Sequence, residues 1–477
     1  MISDLFILMK SELILTAIIF VILFMKLAAR EVTDGNYASV NTGALNIING
    51  LLLINLLAGF FLNQSGNLFG DMFVTDHLSH FEKNLLNFGT LIISLSAYDW
   101  LRNHKYVHEF YILLLSTLLG MFFMISSGNL MMFYLGLELA TIPIAALSNF
   151  DLERKRSSEA AMKMVMLSAF ASGLLLFGIS MFYGTTGTLS LAELPLHLDG
   201  SALQSFALIL LIAGFGFKIS AVPFHLWTAD VYEGSPSSVT AYLSVISKAA
   251  VLFVMTSVLY NSFFPIADEW YRLITILAVA TMIVGNLFAM RQGNLKRLLA
   301  FSSIAQVGFI LVGMSGQSVE GSVSVLYFIL IYLYSNLGAF AVITLISART
   351  GMETLDDYRG LYKTNPLLTW VMAISLFSLA GIPPTAGFFG KFFLLIAGAA
   401  PQNYLLIIFA ALNMVISLYY YLIVIKSMFI SSNPNPVPPI KPGINAYIAM
   451  ALCVGGIIIT GIYGPVYDYI FTLVNSN

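Results

Sequence analysis

The sequence predicts an all-α polytopic membrane protein with about fourteen transmembrane helices, including two inverted five-helix repeats whose discontinuous members are helices 7 and 12. Three observations predict it. The 477 residues are 58% hydrophobic and only 10% charged, with a mean hydropathy of +0.87, whereas soluble domains carry roughly 25% charged residues. Basic residues fall in alternate loops between apolar stretches, and two of those stretches are interrupted by proline.

A helix needs about 20 apolar residues to cross the hydrocarbon core. Hydropathy and loop signals place spans at 13–28, 43–62, 78–98, 108–127, 130–149, 160–183, 203–226, 237–260, 269–290, 297–315, 321–347, 366–397, 404–428 and 445–473. They fill a single membrane domain over 1–477 and leave no room for a soluble one. Helices 1–3 occupy 1–107, a first repeat (helices 4–8) 108–260, a second (helices 9–13) 269–430, and helix 14 the stretch 445–473. Span 1 reads as retained rather than cleaved, because Asp4, Lys10 and Glu12 precede it and no small-residue cleavage pattern follows. Span 3 is the least regular, with His77, His80, Glu82 and Lys83 at its start.

Short cytoplasmic loops collect Lys and Arg. Here bases follow span 1 (Lys26, Arg30), span 3 (Arg102, Lys105), span 5 (Arg154, Lys155, Arg156), span 9 (Arg291, Lys296, Arg297), span 11 (Arg349, Arg359, Lys363) and span 13 (Lys426, Lys441). The loops after spans 2, 4, 6, 8, 10 and 12 have none, with Arg272 taken into span 9. One miscounted helix would destroy this alternation, so it predicts fourteen crossings with both termini external. The loop after span 7 holds Asp230 and Glu233 without a base and is uninformative.

Span 7 contains Gly214-Phe-Gly-Phe-Lys-Ile-Ser-Ala-Val-Pro223, and span 12 contains Leu379-Ala-Gly-Ile-Pro-Pro-Thr-Ala-Gly387 followed by Lys391. Proline removes an intrahelical hydrogen bond and clashes with the previous turn. Unwound backbone at membrane depth is tolerated only inside protein or along a wet cavity. The two broken spans lie five helices apart, so they cross in opposite directions, as in an inverted repeat. The lysines sit differently: Lys218 precedes its proline and Lys391 follows its pair.

Lys163, Lys218, Lys248 and Lys391, with Glu109 and Glu138, fall inside the spans, where a charge costs roughly 2.5–3.5 kcal/mol or more. Such groups face a bundle interior or cavity and mark ion or proton paths. Glu109 begins span 4 near Lys105 and reads equally well as an interfacial charge. Glu138 lies near the middle of span 5, in Phe133-Tyr-Leu-Gly-Leu-Glu-Leu-Ala-Thr-Ile-Pro143. Burial disfavours a charged lysine and a nearby carboxylate favours it, so Glu138, Lys163 and Lys218 supply the parts of a switchable proton carrier if they lie close in space. Ser220, His225, Thr228, Ser244, Ser247, Ser302, Ser303, Gln306, Ser335, Asn336 and Asn413 continue the polar row. Each alone reads as helix packing; together they would hold water between the lysines. The run Tyr419-Tyr-Tyr421 reads as packing or interfacial anchoring.

Other chemistries find no support. The chain has no GxGxxG, GxxxxGK[ST] or HExxH pattern. Its single cysteine, Cys453, excludes an internal disulfide and a four-thiolate iron–sulfur cluster. His104 and His108 have the spacing of a metal pair but no third ligand nearby, so no metal site is expected.

At these residues the chain resembles the antiporter-like subunits of proton-pumping NADH:quinone oxidoreductase (complex I), and among them the subunit N branch. The resemblance is carried by Gly136-Leu-Glu-Leu, by Gly216-Phe-Lys-Ile-Ser-Ala-Val-Pro-Phe-His-Leu-Trp-Thr-Ala-Asp-Val-Tyr-Glu-Gly-Ser-Pro236, by Ser247-Lys248, by Asn294-Leu-Lys-Arg-Leu-Leu-Ala-Phe-Ser-Ser303, by Tyr358-Arg-Gly-Leu361 and by the stretch from Leu379 to Lys391. Lys248 and Lys391 favour subunit N over L and M. The resemblance implies a central polar axis in which Glu138 pairs with Lys163, Lys218 is the central protonatable lysine, Lys248 connects the half-channels and Lys391 serves the second half. Gln306 stands where the family often has histidine; it cannot titrate, which favours a water-mediated link there.

The resemblance also implies a translocase subunit in a bacterial cytoplasmic membrane, without redox chemistry of its own. FMN, iron–sulfur clusters and quinone belong on other subunits. Partners would be the other membrane subunits, among them the antiporter-like subunit M and the small subunit K, together with lipid and no nucleic acid. The competing readings are a D-type subunit of a multisubunit cation/proton antiporter and a structural scaffold whose buried pairs only fix helix register.

Overall fold

The protein, seen here as a computed structural model, is described over residues 2–28 and 37–475. Arg30, Ser476 and Asn477 lie outside them. Among the described residues, twelve helices are long and apolar enough to cross a membrane. In chain order the elements are α1 (Lys10–Ala28), α2 (Tyr37–Ala58), a small hairpin of β1 (Gly66–Leu68) and β2 (Phe73–Thr75), α3 (His77–Leu101), α4 (Val107–Ile125), α5 (Leu130–Ser148) and α6 (Lys155–Thr186). There follow α7 (Ala202–Ile219), α8 (Thr228–Gly234), α9 (Ser237–Ser262), α10 (Phe264–Ala289), α11 (Leu295–Met314), α12 (Val319–Thr350), α13 (Pro366–Ala380), α14 (Ala386–Ala399), α15 (Tyr404–Ile430), α16 (Ile444–Ile462) and α17 (Pro465–Asn475).

The breaks expected in spans 7 and 12 are the gaps between α7 and α8 and between α13 and α14. A third interruption was not expected: the stretch 445–473 ends its first helix at Ile462, and Pro465 starts a separate α17. Proline cannot continue a helix but suits the first helical position.

α3 is long enough to cross, at 25 residues, but polar at its start. A capping box secures that start: Asp76 accepts from the Ser79 N–H at 2.6 Å, and Ser79 Oγ accepts from the Asp76 N–H at 2.9 Å. One turn on, Lys83 meets Glu12 of α1 at 2.6 Å, both side chains only 1% exposed. Glu12, which reads from sequence as a flanking charge, is thus buried against α3. Lys10 reaches across the same end to the Phe61 carbonyl and Asn63.

The connecting loops sort to two ends. At one end Arg156 binds Glu233, Lys296 binds Glu353, Arg349 binds Asp99, and Asn433 donates to the Asp356 carbonyl. At the other, Phe73 bridges Ser127, Asn129 bridges Ser190, and Gln317 donates to the Ala267 carbonyl. The basic loops after spans 3, 5, 9 and 11 all meet at the first end, hereafter the basic end.

Burial separates core from periphery. The apolar windows of α11 and α12 are 94% buried and that of α9 is 89%, against 28% for α1 and 33% for α15. The outer helices show lipid the side chains expected of a ring, such as Met166 and Phe170 on α6 and Leu412 and Val415 on α15. The three central helices carry Lys248, Ser302, Ser303, Gln306, Ser335 and Asn336, so the polar groups sit where no lipid reaches.

Candidate functional site

The two helix breaks are built alike. α7 is capped by Ser220 (φ 64°) and α13 by Gly381 (φ 84°), both left-handed. The next N–H, of Ala221 or Ile382, returns to the carbonyl of Gly216 or Phe377 at 2.8 and 3.0 Å, the wrap of a Schellman cap. Pro223 and Pro384, each three residues past the left-handed residue, follow a cis peptide bond. Gly387 lets α14 leave the second break at close quarters: a Cβ there would lie 1.7 Å from the Ser378 carbonyl oxygen.

Each break ends its first half-helix deep in the protein, with the partial negative charge of a helix C-terminus. Lys218 lies in the last turn of α7. Lys391 sits on α14 but returns across the gap, donating to the carbonyls of Leu379 at 2.7 Å and Ala380 at 3.2 Å. The opposite placement of the two lysines about their prolines therefore brings each to the same kind of helix end.

Around Lys218 the site is compact. Its Nζ donates to Thr141 Oγ1 at 2.5 Å, and Glu138, one turn earlier on α5, is the carboxylate whose field reaches it. Glu138 Oε1 is buried without a hydrogen-bond partner among the described residues. A cavity of about 20 Å³ touches Thr141, Lys218, Trp227 and Ser247. A water needs roughly 10–15 Å³ of such space, so there is room for one. Ser247 ends a π-helical stretch, Leu243–Ser247, that leads into Lys248; such insertions often occur at functional sites.

From Lys248 the polar groups continue in two hydrogen-bonded sets. Its Nζ donates to Ser303 Oγ at 2.8 Å. The adjacent Ser302 hydroxyl hydrogen-bonds Tyr421, and Gln306 Nε2 donates both to Tyr421 at 3.1 Å and to the Leu379 carbonyl at 3.0 Å. That carbonyl also accepts from Lys391. A space of about 10 Å³ lies between Lys248 and Gln306, and Gln306 is itself held directly by Tyr421 and the Leu379 carbonyl. Tyr420 and Tyr421, read from sequence as packing, are buried members of this network: Tyr420 donates to Asn286, which donates to Asn413. Only Tyr419 faces outward. On α12, Asn336 donates to Tyr332 at 2.6 Å and Ser244 at 3.2 Å, and Ser335 donates to Ser378.

The expected pairing of Glu138 with Lys163 is not formed. Lys163 is 38% exposed and engages Asp230 at 2.6 Å and Glu159 at 2.7 Å. It lies near the basic end of the long α6, and α8 brings Asp230 to it. The approach is tight, since a Cβ at Gly234 would meet the Arg156 carbonyl oxygen at 2.4 Å. Arg297 completes the cluster, binding Asp230 at 2.7 Å and Glu233 at 2.8 Å. The loop after span 7, silent in the charge pattern, thus supplies the anions that answer two basic loops. Lys296, beside it, is buried and bound to Glu353 at 3.1 Å and to the Ser235 carbonyl.

Glu109 makes a half-exposed ion pair with Lys26 at 2.9 Å and lies outside the axis. His104 stacks on Phe150 and accepts from the Tyr106 N–H; burial holds its imidazole below the usual value. Among the described residues no group of three His, Cys, Asp or Glu could hold a metal.

Residues 127–417 match the family described as "NADH:quinone oxidoreductase/Mrp antiporter, TM". The chain is 45% identical to NADH-quinone oxidoreductase subunit N of Phocaeicola vulgatus, over 88% of this chain and 89% of that one. It is 38% identical to the protein of the same name from Moorella thermoacetica, over 87% and 88%. A chain of respiratory complex I from Thermus thermophilus superposes with a TM-score of 0.79 at 27% identity, covering 95% of this chain and 98% of that one. A chain of the Mrp complex from Dietzia shares the fold, with a TM-score of 0.86 at 20% identity over 98% and 96%.

Proposed function

From the premise that this chain belongs to the antiporter-like membrane subunits of NADH:quinone oxidoreductase, in the subunit N branch, we propose how its buried groups move protons. The chain is a proton-translocating membrane subunit of that oxidoreductase complex. Lys218, under the field of Glu138, is the loading group. The small cavity beside Lys218 passes the proton toward Ser247 and Lys248, and two hydrogen-bonded sets that meet at Ser303 and Ser302, the second running through Tyr421, Gln306 and the Leu379 carbonyl, lead from Lys248 to Lys391. The single observation that carries this reading is that row, whose two hydrogen-bonded sets, Lys248 with Ser303 and Ser302 through to Lys391, meet at adjacent residues of α11. Lys163, tied to Asp230 at the basic end, acts as an entry-side charge rather than as the partner of Glu138. Glu109 has no part in transfer.

The remaining assignments belong to the same proposal. The basic end faces the cytoplasm of a bacterium with both termini external, the chain crosses fourteen times, and its repeats run 108–260 and 269–430. The neighbours are subunits M and K. FMN, iron–sulfur clusters and quinone reside on other subunits, because one buried cysteine offers no cluster ligation here.

Lys218→Met keeps the length of the side chain and removes the titratable amine; Glu138→Gln keeps the shape and removes the charge. Both variants are expected to assemble yet to lose quinone-coupled pumping, read with a pH-sensitive dye in sealed vesicles. Normal pumping in assembled Lys218→Met complex would reduce the lysines to structural pairs. Because the family also includes Mrp antiporters, membranes lacking this chain supply the second test. Loss of NADH-driven pumping supports the respiratory reading, and loss of sodium tolerance alone would favour the antiporter.

A further inference from the structure

At the end opposite the basic loops, a cavity of about 670 Å³ opens among α3, α9, α12 and α17, lined by Asp76, Glu82, Thr256, Tyr260, Ser322 and Asn475 among others. Glu82 is 7% exposed. Its carboxylate makes no hydrogen bond or ion pair among the described residues, and the charges acting on it are Asp76 and Lys83. The nearby cation is already engaged, since Lys83 is fixed to Glu12 at 2.6 Å. Of the other titratable groups on the cavity wall, Asp76 accepts from the Ser79 N–H and Tyr260 donates to the Met314 carbonyl. A buried carboxyl group on a wide polar cavity, without a partner, suits a proton path better than a packing contact.

Two walls of this cavity lead back to the polar axis. On α9, Thr256 lies two turns past Lys248, a rise of about 12 Å, with Leu252 between them. On α12, Ser322 and Leu326 line the cavity and Tyr332 lies further along the same helix beside Lys248. The apolar turn around Leu252 separates lysine from cavity, and the polar lining of the cavity lets water stand beyond it.

We propose that this cavity is the outward port of the proton path and that Glu82 is its terminal proton acceptor. Resting on the proton-transfer reading, the step is a simple relay. When water from the cavity crosses the Leu252 turn, an N–H bond of the Lys248 ammonium breaks, an O–H bond forms on Glu82, and the carboxylic acid then releases a proton to the external medium. Glu82 returns to its carboxylate and Lys248 to its amine, which is reloaded by way of Lys218 on one side and Lys391 on the other.

The test uses the assembled complex in sealed vesicles. Glu82→Gln removes the acceptor while keeping the shape, and is expected to lower the initial pumping rate about fivefold or more, whereas Glu82→Asp keeps most of it. If Glu82→Gln pumps normally while Lys218→Met does not, the port is overturned and the proton-transfer reading stands; if both pump normally, that reading itself fails. Should Glu82→Gln fail to assemble, Ser322→Cys decides independently of folding. After assembly, a bulky membrane-impermeant thiol reagent added from the external side is expected to modify it and block pumping, with the unsubstituted chain as control. No modification from that side, or modification without loss of pumping, overturns the port.

Discussion

Lys391→Arg separates a proton-carrying lysine from a structural one. Lys391 is 1% exposed and donates to the last carbonyls of α13, with its ammonium 4.9 Å from the centre of the Phe309 ring. Hydrogen bonds from a charged donor contribute about 1.5–3 kcal/mol each, and a cation at a helix C-terminus adds up to about 2 kcal/mol. Lys391→Met removes both. The Leu379 carbonyl keeps Gln306 as a donor, but the Ala380 carbonyl loses its side-chain donor, a cost of about 1–3 kcal/mol. Lys391→Arg keeps the charge and the donors, and its larger head costs about 1–3 kcal/mol through overpacking. The two variants should therefore assemble to similar extents on native gels. They differ in chemistry: the methionine never carries the proton and the guanidinium never releases it. A proton carrier fails with either, so pumping per assembled complex should fall together in both. If Lys391→Arg pumps like the unsubstituted complex, a fixed cation suffices and the transfer role of Lys391 is refuted.

Other outcomes follow from burial. Lys83→Met strands Glu12 in the protein and should destabilise the α1–α3 contact by about 3–5 kcal/mol, with much of that recovered in the double variant with Glu12→Gln; thermal unfolding of the purified complex reads both. Asp230→Asn breaks pairs that are about one-third exposed, so it should cost about 1 kcal/mol or less per pair in the same assay. Ser158→Cys at the basic end and Leu196→Cys at the other, both exposed, should be labelled by an impermeant thiol reagent from opposite sides of the membrane. Labelling from one side would refute the crossing pattern. Ser157, beside the first of these, is buried against the Ser148 carbonyl and is unsuitable.

The helical membrane fold and both breaks were legible because hydropathy and proline act locally, on the residues that carry them. Lys218, Lys248 and Lys391 were legible for the same reason: a charge inside an apolar run is visible without knowing its neighbours. Partnership was not. Glu138 and Lys163 look like a pair in sequence, yet Asp230 reaches Lys163 only because α8 turns back against α6. Glu12 appears to sit in water until α3 covers it. Tyr421 is hidden within an aromatic run whose three members face different ways, and only its helix rotation puts it beside Gln306. The link at Gln306 depends on a carbonyl freed by a break in another helix, which no pattern of side chains records.

The likeness of the two helix breaks reaches further than their caps. The offset that carries Ser220 onto Gly381 and Pro223 onto Pro384 also carries Asp230 onto Lys391 and Lys218 onto Leu379. Where one copy holds an anion, the other holds a cation; where one holds a lysine, the other presents the bare carbonyl to which that cation returns. α8 runs on to the basic end, where Arg156 and Arg297 meet it, whereas α14 runs to the opposite end, where Gly398 packs on Val312. The two breaks, alike in backbone, are thereby made electrically unequal: the first puts a negative charge at the rim and the second a positive charge in the interior. In the proposed relay, this exchange of signs at matched positions makes the two breaks different environments for a passing proton.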